Sequence, residues 1–266
     1  MKYDILSFGG GVQSTAIAVL IAQNKIPKPD LIIFADTGRE KFTTFDYMQA
    51  YTVPLLQTVG LTIQTLKAQD YLSPEYFKIV STTQNGKRII QIPAFTDNGG
   101  KMPTYCSGHW KVDVIRRYLR QQAIETCTMW LGISKDEARR VRQSSLKWIE
   151  NFYPLIDGAI TQRTNLILNR SDCLKIVEQA GLPPPPKSSC YICPNMSTNE
   201  WQALSAQEKA LAQTIETDMQ EAVKDTLTFK PFLHQSYIPI SDVIDGKYQQ
   251  QALTLESACT SGFCFT

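Results

Sequence analysis

Near its start the chain reads Ser7-Phe8-Gly9-Gly10-Gly11-Val12-Gln13-Ser14-Thr15, between a mostly apolar run at residues 3–6 and another at residues 16–22. This order predicts a β-strand, a glycine turn and an α-helix. Three glycines allow the backbone to turn tightly and to approach a ligand closely. Backbone amides in such a turn and at a helix start favour an anion, usually a phosphate. The stretch is therefore read either as a phosphate-binding loop or as a plain strand-to-helix turn.

The composition is that of an ordinary globular chain, since 43% of its 266 residues are hydrophobic and 20% are charged. The net charge of +2 is too small to indicate nucleic-acid binding by itself. No apolar run is long enough to span a membrane, and the start lacks the pattern of a signal peptide, so we expect a cytoplasmic protein. Seven cysteines in a reducing compartment favour metal binding or catalysis over disulfides.

Apolar runs alternate with helix-length segments in the first part of the chain. Residues 30–35, 61–66 and 127–133 read as strands, and this alternation predicts an α/β fold with a doubly wound parallel sheet. Ligands bind at the carboxyl ends of the strands in such sheets. Both the glycine loop and Asp36 follow the ends of predicted strands.

The chain is expected to have two parts. We predict an α/β nucleotide-binding domain at 1–170, with a hairpin insertion at about 76–94 that either covers the site or has no chemical role. A mainly helical, cysteine-bearing C-terminal region at 171–266 is expected to pack on this domain.

Three kinds of phosphate loop compete for the opening stretch. A Walker loop ends in Gly-Lys-Ser/Thr, and no lysine is present here. A Rossmann-type dinucleotide loop, Gly-x-Gly-x-x-Gly, is nearly matched by Gly9, Gly11 and Ser14, and Asp36 could then hold the ribose. The third is the PP-loop of enzymes that split ATP between the α and β phosphates. Its Gly-Gly-x-x-Ser core matches residues 10–14, with Gly9 in place of the usual first serine or Ser7 serving instead.

Four downstream segments occur in the order found in one family. They are Phe34-Ala35-Asp36-Thr37-Gly38, Tyr105-Cys106-Ser107-Gly108-His109-Trp110-Lys111, Gly132-Ile133-Ser134-Lys135-Asp136-Glu137-Ala138-Arg139-Arg140 and Cys190-Tyr191-Ile192-Cys193-Pro194. Together with the glycine loop they resemble the phosphoadenosine phosphosulfate (PAPS) reductase-like family of PP-loop proteins, also described as adenine nucleotide alpha hydrolase-like. The resemblance runs from residue 4 to about residue 200 and implies a PP-loop, HUP-like Rossmannoid fold.

The resemblance also implies an activity. Reductases of this family that make sulfite end in a Glu-Cys-Gly-Leu-His motif, which this chain lacks. Other members and close relatives use ATP to activate an oxygen for replacement by sulfur in DNA or tRNA. We therefore expect an ATP-dependent adenylating enzyme of the sulfurtransferase type, with an adenine nucleotide, a sulfur donor protein or thiol, and a nucleic acid as partners, and with no membrane partner. The alternatives are a PAPS or adenylyl-sulfate reductase that uses a thiol of the tail, a zinc-stapled nucleotide- or nucleic-acid-binding module without activity, and a Rossmann-type dinucleotide enzyme.

The resemblance assigns roles at the nucleotide site. The ATP phosphates would be held by Ser7, Gly9, Gly10, Gly11, Gln13, Ser14 and Thr15. Asp36, with Thr37, would bind Mg²⁺ or ribose, although Asp36 could instead cap the next turn. Three cations would neutralise charge on the dividing phosphates: Lys111, Arg139 and Arg140. These cations could instead pair with Asp136 and Glu137.

The cysteines suggest a metal. Cys190 and Cys193, two residues apart, can grip one metal ion. Cys106 supplies a third ligand by analogy with the family, and Cys259 or Cys264 of the tail would be the fourth. Four thiolates suit a [4Fe-4S] cluster or a tetrahedral Zn²⁺, and separate buried thiols or a redox pair are the alternatives. His109 could be a ligand or a base, although a packing role is more common, and Cys127 and Cys173 are expected in the core.

Overall fold

The computed structural model of the protein describes residues 2–159 and 163–247. Within these ranges the helices are too short or too polar to cross a membrane. The strands are β1 (Tyr3–Ser7), β2 (Leu31–Asp36), β3 (Ile63–Lys67), β4 (Val80–Thr82), β5 (Arg88–Ile90), β6 (Phe95–Thr96), β7 (Cys127–Leu131), β8 (Ile149–Phe152) and β9 (Pro231–Phe232). The α-helices are α1 (Val12–Ala22), α2 (Phe42–Tyr47), α3 (Val53–Gln57), α4 (Ala68–Tyr71), α5 (Pro74–Phe77), α6 (Asp113–Gln121), α7 (Arg170–Gln179), α8 (Thr198–Gln202), α9 (Ala206–Val223) and α10 (Ile240–Ile244). Further helical turns are of the π type at Met48–Thr52 and Gly108–Val112, and of the 3₁₀ type at Lys135–Arg140 and Asp157–Ala159.

The main sheet has five parallel strands in the order β3-β2-β1-β7-β8. Ser7, the last residue of β1, is in register with Ile33 on β2 and with Leu131 on β7. The carboxyl end of β1 is therefore level with that of β7, whereas β2 continues past Ile33 to Asp36. The predicted α/β class with a parallel sheet is confirmed.

Both faces of the main sheet are covered, because β2 and the helix α1 consist mostly of apolar residues and are buried on every side. Residues 32–35 of β2 are all buried, as expected for a parallel strand covered on both faces. Helix α1 is buried from Val12 to Ile21, since a helix that is apolar around its whole circumference needs neighbours on all sides. It packs against α3 and α7.

The described chain divides into two compact units, each made of separate stretches of sequence. The first contains residues 2–71, 111–159 and 163–188. The second contains residues 72–110 and 189–247. Compactness does not test whether a unit is an independent domain, so the boundary expected between residues 170 and 171 stays a prediction.

The second unit combines two small antiparallel pairs with helices. Strands β4 and β5 form a hairpin in which Val80 is in register with Ile90, and β6 pairs with β9. Helix α9 packs against β9 and α10. A buried carboxylate on α9 ties these elements together, because Glu216 accepts the backbone N–H of Leu233 at 2.8 Å and of Ile240 at 2.7 Å.

Candidate functional site

The glycine loop lies where the strand order of the sheet reverses. From β1 the chain proceeds to β2 and β3 on one side, and it later returns to β7 on the other side of β1. Open α/β sheets bind ligands in the crevice at such a point, outside the carboxyl ends of the strands. The loop between Ser7 and Val12 is therefore at the ligand-binding position of this fold.

Gly10 adopts a conformation that only glycine adopts without strain. Its φ is +74°, and a Cβ added to it would lie 2.6 Å from Cγ2 of Thr44. A Cβ on the next glycine, Gly11, would lie 3.0 Å from Oγ of Ser188. The loop is thus lined by Thr44, on α2, and by Ser188, which follows the run of prolines. Neither residue was predicted from the sequence.

The amino end of α1 presents unsatisfied donors beside this loop. The first N–H groups of any α-helix have no acceptor within the helix, and they carry the positive end of its dipole. Ser14 Oγ accepts the Gly11 N–H at 3.1 Å and donates to the Gly11 carbonyl at 3.0 Å. Ser14 therefore supports the loop from inside, and its contact with a phosphate stays a prediction.

Gln13 connects the loop to cationic side chains of distant segments. Its Nε2 donates to Glu137 Oε2 at 3.0 Å, and its Oε1 accepts from Arg170 at 3.2 Å. The other oxygen of Glu137 pairs with Arg140 at 2.7 Å. Ser134, which is fully buried, lies 3.4 Å from Gln13 Nε2. Arg140 is thus linked to the loop through Glu137, and this salt bridge is the one predicted as the alternative to a catalytic role. Arg170 is a further cation that contacts Gln13.

Arg139, the neighbouring predicted cation, contacts Arg142 through its backbone. Its carbonyl accepts from the guanidinium of Arg142 at 2.6 Å, and its role at the phosphates stays a prediction.

Asp36 stands at the carboxyl end of β2 with one oxygen engaged. Its Oδ1 accepts the Gly38 N–H at 2.7 Å, and its Oδ2 makes no hydrogen bond with the described residues. Burial, assisted by the charge of Glu40, raises the pKa of Asp36 above its ordinary value, although the Gly38 N–H and two lysines oppose this shift. The Oδ1 contact is the turn cap that the sequence offered as an alternative role, and a cation or a ribose hydroxyl at Oδ2 would compensate for the lost hydration.

Lys111 forms an ion pair in the interior of the first unit. Its Nζ lies 2.7 Å from Glu40 Oε1, and the Glu40 side chain is fully buried while that of Lys111 is 16% exposed. Thr37, also buried, donates to the same carboxylate oxygen at 3.3 Å. The predicted catalytic lysine thus neutralises a buried carboxylate close to Asp36, a partner that the sequence analysis does not name.

The predicted metal ligands lie in the second unit as far as they are described. Cys190 and Cys193 bracket a tight turn in which the Cys193 N–H donates to the Cys190 carbonyl at 3.0 Å. Both are half-buried, as is Cys106. Within residues 2–159 and 163–247 no group of three or more His, Cys, Asp or Glu side chains is placed to hold a metal ion. The predicted fourth ligands, Cys259 and Cys264, lie outside the described residues.

Two other cysteines are in the core as predicted. Cys127 on β7 and Cys173 on α7 are completely buried. Burial raises the pKa of the Cys127 thiol to about 11 and that of the Cys173 thiol to about 12. Because the thiolate is the reactive and metal-binding form, neither is suited to chemistry at neutral pH.

Neither a protein-family model nor a curated protein sequence matches this chain. Its structure is similar to solved structures of two enzymes. One is the PAPS reductase from Candida auris in a phosphate complex, with 13% identity over 70% of this chain and 76% of that chain and a TM-score of 0.43. The other is the U34-tRNA thiolase NcsA from Methanococcus maripaludis with its [4Fe-4S] cluster, with 12% identity over 92% of this chain and 70% of that chain and a TM-score of 0.42.

At identities of 13% and 12% the similarity concerns the fold. The roles of individual residues rest on the contacts described above.

His234, in the second unit, is a buried titratable group outside these sites. It is almost fully buried, its Nε2 lies 3.1 Å from Thr198 Oγ1, and its Nδ1 lies 2.6 Å from Ser236 Oγ. Burial lowers the pKa of His234 to about 4. The imidazole is therefore neutral in the folded protein at pH values where it is already protonated in the unfolded chain.

This difference predicts acid sensitivity. The folded pKa of His234 lies below the unfolded value of about 6.5. The contribution of His234 to stability is therefore fully present above about pH 6.5 and is lost as the pH falls through about 4. From pH 8 to pH 5 we expect a loss of about 2 kcal/mol from this group. Urea unfolding of the wild type and of His234→Gln at both pH values measures it. The variant should lack this part of the loss, and equal losses would contradict the prediction.

Proposed function

We propose that the protein is a PP-loop ATP pyrophosphatase-type enzyme that adenylates an acceptor, which sulfur or another nucleophile then attacks. The observation that carries this proposal is the glycine loop at the amino end of α1. Gly10 is held at φ +74° with no room for a side chain, in the crevice where a sheet of this topology binds its ligand. Such a loop suits phosphate oxygens because its donors are backbone amides and its surface lacks obstructing side chains.

The absence of a lysine from the loop separates this proposal from a Walker-type site. Residues 9–15 contain no cation, so the charge of the phosphates is met by the helix dipole and by side chains brought from elsewhere. Arg140 and Arg170 are linked to the loop through Gln13 and Glu137. Preorganised cations of this kind stabilise charge that develops on dividing phosphates.

In the proposed reaction an oxygen of the acceptor attacks the α-phosphorus of ATP. The bond from this phosphorus to the oxygen that bridges to the β phosphate breaks, and pyrophosphate leaves. A sulfur nucleophile then bonds to the acceptor atom that carried the oxygen, and AMP departs with that oxygen. Asp36 would hold Mg²⁺, which supplies positive charge to the phosphate oxygens when it is bound.

The cysteine turn supports a metal in the same proposal. Thiolates of Cys190 and Cys193 can bind one metal atom from a single turn. Cys106, which is not grouped with them in the described structure, and Cys259 or Cys264 would have to join them to complete four ligands. A [4Fe-4S] cluster would bind or orient the sulfur donor, whereas Zn²⁺ would serve as a structural staple. The nucleic-acid acceptor and the sulfur donor, a thiol or a protein, are part of the proposal as well.

Product analysis tests the activity. With labelled ATP and Mg²⁺, we expect AMP and pyrophosphate rather than ADP and orthophosphate. Ser14→Ala should lose most of this activity because it removes both contacts to Gly11. The matched control is Ser197→Ala, which removes the cap of α8 in the second unit and should cost a similar amount of stability, about 1 kcal/mol, without affecting turnover. Orthophosphate release, or reduction of PAPS to sulfite without ATP binding, would overturn the proposal.

Thr44 yields a second test of nucleotide binding. Its hydroxyl is buried and makes no hydrogen bond with the described residues, whereas helical threonines such as Thr214 and Thr217 donate to the carbonyl one turn back. Buried polar atoms are nearly always paired, and Thr44 packs on Gly10. The methyl group of Thr44 faces Gly10, so we expect the side chain to rotate when the nucleotide binds and its hydroxyl then to donate to the nucleotide.

Thr44→Val removes this hydroxyl while it keeps the shape of the side chain. ATP affinity should fall about tenfold, as expected for a hydrogen bond to a charged group. Thr52→Val is the control, because the Thr52 hydroxyl is also buried and unpaired within the described ranges but is not near the loop glycines. Isothermal titration of ATP measures both variants, and equal affinities would contradict the assignment.

A further inference from the structure

Three rings of the second unit form an exposed cluster that we call the aromatic cluster: Tyr76, Tyr105 and His109. The rings of Tyr105 and His109 are nearly parallel, at 16°, with centroids 6.1 Å apart. Tyr76 meets His109 edge-on, at 89° and 5.7 Å. The two tyrosines are 51% and 39% exposed, respectively. Large aromatic side chains usually bury most of their area, so the exposure of these two tyrosines leaves part of each side chain accessible to a ligand.

The imidazole in the cluster is held in one orientation by buried polar groups. His109 Nδ1 lies 2.9 Å from Gln91 Oε1, and Gln91 Nε2 donates to Ser81 Oγ at 2.6 Å. Gln91 and Ser81 are both buried. Because the amide of Gln91 donates to Ser81, its oxygen accepts, and the proton of a neutral His109 is on Nδ1. The Nε2 lone pair makes no hydrogen bond with the described residues and is left as an acceptor at the edge of the cluster.

The hairpin formed by β4 and β5 supports the cluster from both sides. The carbonyl of Gln91, just after β5, accepts the N–H of Tyr105 at 3.1 Å. On the other side, Glu75 accepts the N–H of Thr82 on β4 at 2.7 Å, which fixes α5 and its Tyr76 to the hairpin. The hairpin, which has no assigned role in the proposed reaction, is therefore the framework of the aromatic cluster.

The same hairpin carries positive charge. Lys87 and Arg88 are exposed at the start of β5. The pKa of Glu75 is lowered by its hydrogen bond from Lys78, by the Thr82 N–H and by the charge of Arg88, so Lys78 and Arg88 lie near the segment that bears Tyr76. A cationic ligand would be repelled here, and a purely apolar ligand would leave the His109 acceptor unused. A flat ring with an N–H donor, carried on an anionic chain, matches the exposed aromatic rings, the His109 acceptor and the positive charge of the hairpin.

We propose that the aromatic cluster binds an unpaired base of a single-stranded nucleic acid. The base stacks on the exposed face of Tyr105 and donates an N–H to His109 Nε2, while Lys87 and Arg88 contact the phosphates of the same strand. Aromatic and histidine side chains bind splayed bases in this way, and paired bases inside a duplex are not accessible to them. This inference rests on the second unit alone and does not depend on ATP chemistry at the glycine loop.

Fluorescence anisotropy with short labelled RNA and DNA single strands, in the absence of ATP, tests the proposal on the full-length chain. Tyr105→Ala should weaken binding by at least about fivefold, the lower range for loss of one stacked base. Tyr105→Phe, which keeps the ring, should bind like the wild type. The matched control is Tyr237→Ala, since Tyr237 is an equally exposed tyrosine of the same unit outside the cluster.

A second measurement tests the contact to the strand. Lys87→Ala and Arg88→Ala should each reduce the slope of binding against salt by about one phosphate contact, while thermal melting shows that the variants are folded. Preference for RNA over DNA, or the reverse, identifies which strand is bound, and either supports the proposal. Equal binding of a duplex of the same sequence, binding unaffected by Tyr105→Ala in a folded variant, or no binding of any single strand by the wild type would overturn it, whatever the outcome of the ATP assay.

Discussion

Replacement of Gly10 by alanine is expected to abolish ATP binding and pyrophosphate release. An alanine at φ +74° is strained by about 1–2 kcal/mol. In addition, its Cβ would lie 2.6 Å from Thr44 Cγ2, which is closer than carbon atoms approach, so the buried Thr44 side chain, the loop or α2 must shift. A shift of the loop moves the amides that would hold the phosphates, and catalysis of phosphoryl transfer depends mainly on such positioning. Titration of ATP and product analysis measure the effect.

Gly60→Ala is the matched control for this variant. Gly60 has almost the same φ, +77°, but nothing lies within 4 Å of an added Cβ. It should therefore suffer the same backbone strain without a steric conflict, and its ATP affinity should equal that of the wild type. If Gly10→Ala binds ATP as tightly as Gly60→Ala, the loop is not the nucleotide site.

Among the variants proposed for this protein, Lys111→Met is expected to cause the largest loss of stability. The variant leaves the fully buried carboxylate of Glu40 without the ammonium group 2.7 Å away. Removal of one partner of a buried pair typically costs about 3–5 kcal/mol, because the remaining charge cannot be solvated. The free energy of unfolding from urea titration measures this cost. Lys247→Met is the control, because Lys247 pairs with Asp242 at 3.0 Å on the surface, and such pairs are worth about 1 kcal/mol or less.

The double variant Lys111→Met with Glu40→Gln separates stability from catalysis. Since it removes both buried charges, it should recover most of the stability that Lys111→Met loses. If turnover stays low in the stable double variant, Lys111 also acts on the nucleotide, as predicted from the family resemblance. A double variant as unstable as Lys111→Met would show that the ion pair is not the reason for the loss.

Patterns that are local in sequence predicted the central part of the fold. The apolar runs at 31–36 and 127–131 form strands because their residues are buried on both faces of a parallel sheet. The glycine loop forms where its sequence indicates, since the backbone freedom of Gly10 is a property of that residue alone. The place of Asp36 at the end of β2 followed from the same alternation of strands and helices.

The partners of these residues come from segments that no local pattern connects. Gln13 is joined to Glu137 and Arg170, which lie 124 and 157 positions away in the chain. Buried Glu40 meets Lys111, and the hydroxyl residue against Gly11 follows a run of prolines. Such contacts depend on strand order and helix packing, so periodicity and residue type cannot reveal them.

The second unit shows the same distinction on a larger scale. Its parts, 72–110 and 189–247, are separated in sequence by the segment that contains β7 and β8 of the main sheet, and the hairpin had no recognisable role as an isolated sequence. Hydrophobic period and glycine conformation act over a few residues, and they determine strands, turns and the position of the glycine loop. The pairing of charges, the orientation of His109 and the grouping of exposed tyrosines arise only when burial brings distant segments together, because the energy of each contact depends on its neighbours in space.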